Sequence, residues 1–249
     1  MKTIAIYNIK GGVGKTATAV NLSFLASLDG ANTLLWDLDP QGAASYYCKI
    51  KPKIKGGGKK LVDGKIDIEA VVKGTDYENL DLLPADFTYR NMDMFLEQTK
   101  NPLTRFSGLL EPFADEYDYI FLDCPPSISS ASESIFAAAD ILLVPTIPTT
   151  LSLRTYKQIK KFFKQQGISQ KKVIPFFVMV DRRKNLHRII VQHPPTFMPT
   201  VLKSFIPYAS EVERMGVHRA PVNVFASRSR AANCYRSVWD ELRPYLLQY

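Results

Sequence analysis

Three features of the 249-residue sequence predict a doubly wound α/β fold, a mostly parallel sheet with helices on both faces. Short, almost wholly apolar runs alternate with stretches of helical length. A glycine-rich loop separates the first run from the first helix. The runs end on polar or turn residues, which gathers those residues at one edge of the sheet, where folds of this kind hold their ligands.

Thr3 to Ile9 (TIAIYNI) is rich in β-branched residues and stops at Lys10-Gly11-Gly12. Lys15 to Leu28 then holds good helix formers with no Gly or Pro, so strand, loop and helix follow in turn. Asn32 to Trp36 leads into Asp37 and Asp39, Leu80 to Leu83 meets Pro84, and Tyr119 to Leu122 meets Asp123-Cys124-Pro125-Pro126. The pattern returns at Ile141 to Val144 before Pro145, Val173 to Val180 before Asp181, and Val201 to Ile206 before Pro207. Ser130 to Ala139, Ser152 to Gln166 and Arg228 to Leu247 read as helices. Lys49 to Lys60 (KIKPKIKGGGKK) carries six lysines around three glycines and no acid, and reads as an exposed, mobile loop. No linker, repeat or change of composition divides the chain, so residues 1–249 are expected to form one domain.

An apolar fraction of 46% excludes a disordered or fibrous chain. Spanning a bilayer takes about 20 apolar residues in a row, and the longest stretch, near Ile135 to Val144, is broken by Asp140. The N-terminus lacks the apolar stretch and cleavage site of a secretory signal, so a cytoplasmic location is expected. Cys48, Cys124 and Cys234 form no CxxC pair, and His187, His193 and His218 show no metal-ligand spacing, so none is expected to carry chemistry. Lys and Arg outnumber Asp and Glu by 32 to 24, and the formal charge of +8 suits a polyanionic partner.

The loop Lys10-Gly11-Gly12-Val13-Gly14-Lys15-Thr16 lies between a strand and a helix, the context a phosphate-binding loop requires. Glycines let backbone N–H groups turn inward, and the exposed amides of a helix N-terminus favour anions. Lys15 is then placed to bridge β- and γ-phosphates, and the Thr16 hydroxyl to ligate Mg²⁺. Asp123, aimed at the loop edge by the apolar run before it, is the best candidate for a metal contact through water. The general pattern G-x-x-x-x-G-K-[ST] is broken at its first position by Ile9, while Lys10 adds a cation.

KGGVGKT resembles the deviant Walker A motif of the ParA/MinD family of P-loop ATPases. LLWDLDPQGAAS (Leu34 to Ser45) resembles the second family motif, YDYIFLDCPPS (Tyr117 to Ser127) its Walker B strand, and MVDRRKNL (Met179 to Leu186) the following strand-to-loop block. FIPYASEVERMGVHRAPV (Phe205 to Val222) and SRSRAANCYRSVWDEL (Ser227 to Leu242) resemble closing segments of the ParA branch. Only about Lys49 to Asn79 lacks a counterpart. The resemblance implies ATP and Mg²⁺ as cofactors, with the nucleotide held by Lys10 to Ala17 (Gly11, Gly12, Val13, Gly14, Lys15 and Thr16 between them). It implies that Lys10 reaches the partner's nucleotide across a two-fold dimer, that Asp39 orients the hydrolytic water, that Asp37 supports the Mg²⁺ shell, and that adenine lies near Asp181 and Pro207.

From residue 181 onward eleven Lys or Arg face five acids, a balance of +6. Arg182, Arg183, Arg219 and Arg228 are the candidate phosphate contacts, and no helix-turn-helix precedes the first strand to read bases, so nonspecific duplex DNA is the expected partner. The lysine run at 49–60 fits a solubilising loop as well as a DNA contact. The leading expectation is a ParA-type ATPase that dimerises on ATP, binds the nucleoid and is released by a ParB-like adaptor, its cargo a plasmid, a chromosomal origin or a protein organelle such as a carboxysome. A MinD-like membrane-cycling ATPase would need a basic amphipathic terminal helix, and SVWDELRPYLLQY carries Asp240, Glu241 and Pro244 with Arg243 its only cation. A metabolic ligase on the same loop would not need Lys10.

Overall fold

The computed structural model describes residues 1–247. Eight strands form one sheet: β1 (Lys2–Ile6), β2 (Thr33–Asp37), β3 (Lys73–Gly74), β4 (Leu80–Leu83), β5 (Tyr119–Asp123), β6 (Ile141–Thr146), β7 (Val173–Val180) and β8 (Phe205–Pro207). Their order across the sheet is β3-β4-β2-β5-β1-β6-β7-β8, parallel throughout except for β3 against β4. This is the doubly wound, mostly parallel sheet that the sequence predicts.

Both sheet faces are buried because both carry apolar side chains. Ile4 and Ile6 of β1 point to one cluster, with α1 (Lys15–Leu28) and the C-terminal helix Arg230–Leu246. Ala5 of β1 and Tyr7 just beyond it point to the other, with helices Ser130–Ala138 and Thr150–Gln165. Between α1 and these helices the chain forms α2 (Ala43–Tyr47), α3 (Gly57–Val62), α4 (Met92–Glu97) and α5 (Arg105–Leu110), so the helices just named are α6 and α7. After β7 come α8 (Asn185–Gln192), α9 (Ser210–Glu213), α10 (Met215–His218), α11 (Val222–Phe225) and then α12, the Arg230–Leu246 helix. Among the described residues no helix is long and apolar enough to cross a membrane.

Three expectations need correction. The first strand ends at Ile6, because the Asn8 side chain reaches Pro145 O at 2.8 Å and turns the chain out of the sheet. The last strand keeps only three residues, since the Lys203 and Ser204 N–H groups just before it bond the Glu241 carboxylate instead, each at 2.7 Å. The lysine-rich stretch is not simply a loop: its second half opens α3, and Ile54 is buried with its N–H bonded to Asp86 at 2.9 Å. Six lysines mask two apolar anchors, Ile54 and Leu61, which decide how the segment folds.

Candidate nucleotide site

The loop between β1 and α1 is built to leave amides free. Gly12 and Gly14 have φ of 69° and 76°, a region costly for other residues, and Gly14 caps α1 in the left-handed conformation with no side-chain cap. A Cβ at Gly12 would meet only open space, so the loop's inner face is clear. The first turn of α1 holds no acid to compete with an anion. Lys15 is 7% exposed and makes no ion pair among the described residues. Burial lowers its pKa, against the opposing pull of Asp123 and Asp39.

Asp37 ends β2 and Asp123 ends β5, and the two are register partners on adjacent strands. Neither is exposed. Asp37 Oδ2 accepts from the Ser45 N–H and hydroxyl, each at 2.7 Å, while Asp37 Oδ1 and both Asp123 oxygens are buried without a partner. Burial, opposed by the Ser45 bonds, pushes Asp37 up to about 6. Burial and the neighbouring Asp37 push Asp123 well above the ordinary carboxylate value. Three orphaned carboxylate oxygens beside Lys15 and Thr16 are what a buried divalent cation would satisfy. No three His, Cys, Asp or Glu side chains form a cage among the described residues. That suits Mg²⁺, which takes one or two carboxylates and completes its octahedron with phosphate and water.

A cleft of about 470 Å³ runs from Gly11, Gly12 and Gly14 past Lys15, Thr16, Ala17 and Asp39 toward β7 and β8. Asp39 stays on its rim, its Oδ1 held by the Gln41 N–H at 3.0 Å. Val13 is buried under the loop and does not line the cleft. Lys10 is exposed, its backbone N–H on Asn8 Oδ1 at 2.9 Å, and its side chain forms no ion pair among the described residues.

Pro207 lines the far end of the cleft, and Asp181 does not. The Asp181 carboxylate is gripped by Arg183 at 2.9 and 3.0 Å, which holds its pKa down at about 2. Its place is taken by Met179, which a bulge between Phe177 and Val180 holds at a φ of 53°, close over Gly14. Tyr47, Tyr235, Tyr208 and Glu213 also line this end and were not singled out in the sequence. Tyr47 stands in the Tyr46-Tyr47 pair, which reads as core; Tyr208, Glu213 and Tyr235 lie within the closing ParA-like segments, Phe205 to Val222 and Ser227 to Leu242, where no spacing marks them as ligands. The structure does not bring the four candidate arginines to one uncommitted patch. Arg183 is engaged by Asp181, Arg219 donates to Tyr46 O at 3.0 Å, Arg182 lies 5.4 Å from the Phe205 ring centroid, and Arg228 is exposed.

The family model described as an AAA domain matches residues 1–174. The sporulation initiation inhibitor protein Soj of Bacillus subtilis is 31% identical over 247 residues, covering 97% of this chain and 98% of its own. The chain belongs to the ParA/MinD family of ATPases, in its ParA branch. The chromosome partitioning protein ParA of Myxococcus xanthus is 29% identical across 97% of this chain and 87% of its own. A putative plasmid partition protein of Borrelia burgdorferi, solved bound to AMPPNP, shares the ParA-family fold with a TM-score of 0.83 at 20% identity, covering 98% of both chains.

Proposed function

We propose that this chain is a ParA-type partitioning ATPase that hydrolyses ATP with Mg²⁺, dimerises on ATP and binds duplex DNA without sequence preference until a ParB-like adaptor speeds hydrolysis. The observation that carries the reading is the meeting of Lys15 with two buried carboxylates whose three free oxygens have no partner in the protein. When bound, Mg²⁺ supplies neutralisation of phosphate charge. Lys15 and the loop amides would hold the β- and γ-phosphates, and the Thr16 hydroxyl with Asp123 and Asp37 would form the metal's protein side. Asp39, at the rim and held by its own turn, accepts a proton from and orients the attacking water. Lys10, exposed and unpaired, serves the partner's phosphates across a two-fold interface.

The names of the chromosome partitioning relative and of the plasmid partition structure support a DNA cargo, a chromosome or a plasmid. A membrane-cycling role finds less support, because Trp239, Leu242 and Leu246 bury the apolar face of α12 against the sheet. The proposal is tested by sedimenting the protein with random-sequence duplex at rising salt, with ATP, ADP and no nucleotide. ATP-dependent binding that falls steeply with salt is expected. Indifference to DNA at low salt, with sedimentation on anionic liposomes, would replace this reading by the membrane one.

A further inference from the structure

The lysine-rich stretch that the nucleotide site leaves unused walls a groove of about 660 Å³ between residues 50–55 and the approach to β3. The half-buried Ile50 and the exposed Ala70, over the buried Ile54 and Val71, make an apolar floor, and Lys51, Lys53, Lys55 and Lys73 stand exposed around it. No acid lines the groove, and Asp76, just past β3, is taken by Lys49 at 2.8 Å. At this side β3 closes the sheet, pairing only with β4 and offering its outer edge to the groove.

We propose that this groove docks an extended segment of a partner protein in which acidic side chains alternate with apolar ones. Four ammonium groups that form no ion pair among the described residues, with Asp86 near Lys53 only as a distant counter-charge, attract a polyanion. A nucleic-acid backbone would engage the rim alone and leave the half-buried Ile50, the exposed Ala70 and the lysine stems in water. An extended peptide of period two turns acids to the rim and aliphatic groups to the floor, and can lie along the open edge of β3.

One contact ties the groove to the nucleotide site. Pro52 leans so closely on Gly42 that a Cβ added there would lie 2.7 Å from the Pro52 Cβ. Gly42 caps α2, and its N–H bonds Asp39 O at 2.9 Å. A segment seated on residues 50–55 therefore bears on the loop that carries Asp39, and docking changes turnover. This second half rests on the ATPase reading above.

The test uses a fluorescein-labelled nonapeptide alternating Asp with Leu, compared with oligo-aspartate of the same length and with a short duplex, by anisotropy without nucleotide. The alternating peptide binds the wild-type protein about tenfold or more tighter than either control, and both Lys51→Glu/Lys53→Glu and the surface variant Ala70→Glu lose it while keeping the wild-type melting temperature. Equal binding of oligo-aspartate or duplex, or undiminished binding to the variants, overturns the docking site. Adding the peptide then shifts ATP turnover in wild type and not in Lys51→Glu/Lys53→Glu. Binding without any shift refutes the link to Asp39, and absence of turnover in every protein strikes the ATPase reading while the anisotropy still decides the docking.

Discussion

Asp123 shows at the scale of one residue how this site trades stability for chemistry. Burial disfavours the charge of this carboxylate, its neighbour Asp37 adds to the cost, and the Thr16 hydroxyl and Lys15 offset only part of it. Asp123→Asn is therefore expected to raise the melting temperature of the nucleotide-free protein, a gain on the order of 1–3 kcal/mol, while abolishing Mg²⁺-dependent ATP binding. Paired thermal melts and calorimetry check this, and a destabilised variant would mean that the carboxylate has a partner in the protein. Lys15→Ala removes the buried cation of the loop, and calorimetry is expected to find no ATP binding. Asp39→Ala keeps ATP binding but slows single-turnover hydrolysis by about 100-fold or more, because positioning water matters in the transition state and not for ground-state affinity.

Between elements, Asp29 is the clamp. It follows α1 and accepts from three side chains of α12: Arg236 at 2.6 Å, Trp239 at 2.9 Å and Arg243 at 2.9 Å. Burial opposes its charge, but the Trp239 and Arg236 donors, with Arg243, outweigh it and hold its pKa below the ordinary value. A depressed carboxylate gives its stabilisation in full above the unfolded pKa of about 3.9 and loses it as pH falls through the folded value. Asp29→Asn is expected to cost about 1–2 kcal/mol near neutral pH and to narrow its gap from wild type below about pH 4, as urea melts across pH would read. The phosphate loop and the carboxylates at the strand ends were legible in the sequence because glycine spacing and apolar runs fix them locally. Asp29 was not, because its three donors lie more than two hundred residues away, and the same holds for Met179, whose approach to the loop depends on a bulge in β7. The fold of the lysine run was hidden for a different reason: its charges dominate the composition while Ile54 and Leu61 decide its packing.

For the whole molecule, the proposed ParA-type cycle makes Lys10 the residue that would join two chains into one machine. In a single protomer its cation is exposed, forms no ion pair among the described residues and does not line its own cleft. Two triphosphates brought face to face repel one another, and a cation donated by each protomer offsets that repulsion. On the proposed cycle a dimer would offer the duplex twice the cations of one protomer, so Arg182→Ala/Arg228→Ala is expected to weaken binding to all duplexes alike and flatten the salt slope in co-sedimentation, with ATP-dependent dimerisation intact. The most direct measurement is therefore sedimentation velocity of wild type, Asp39→Ala and Lys10→Ala with Mg²⁺ and ATP. The shared-site account predicts a dimer for wild type that decays with hydrolysis, a lasting dimer for Asp39→Ala, and a monomer with bound ATP for Lys10→Ala; a normal ATP-dependent dimer of Lys10→Ala would contradict it.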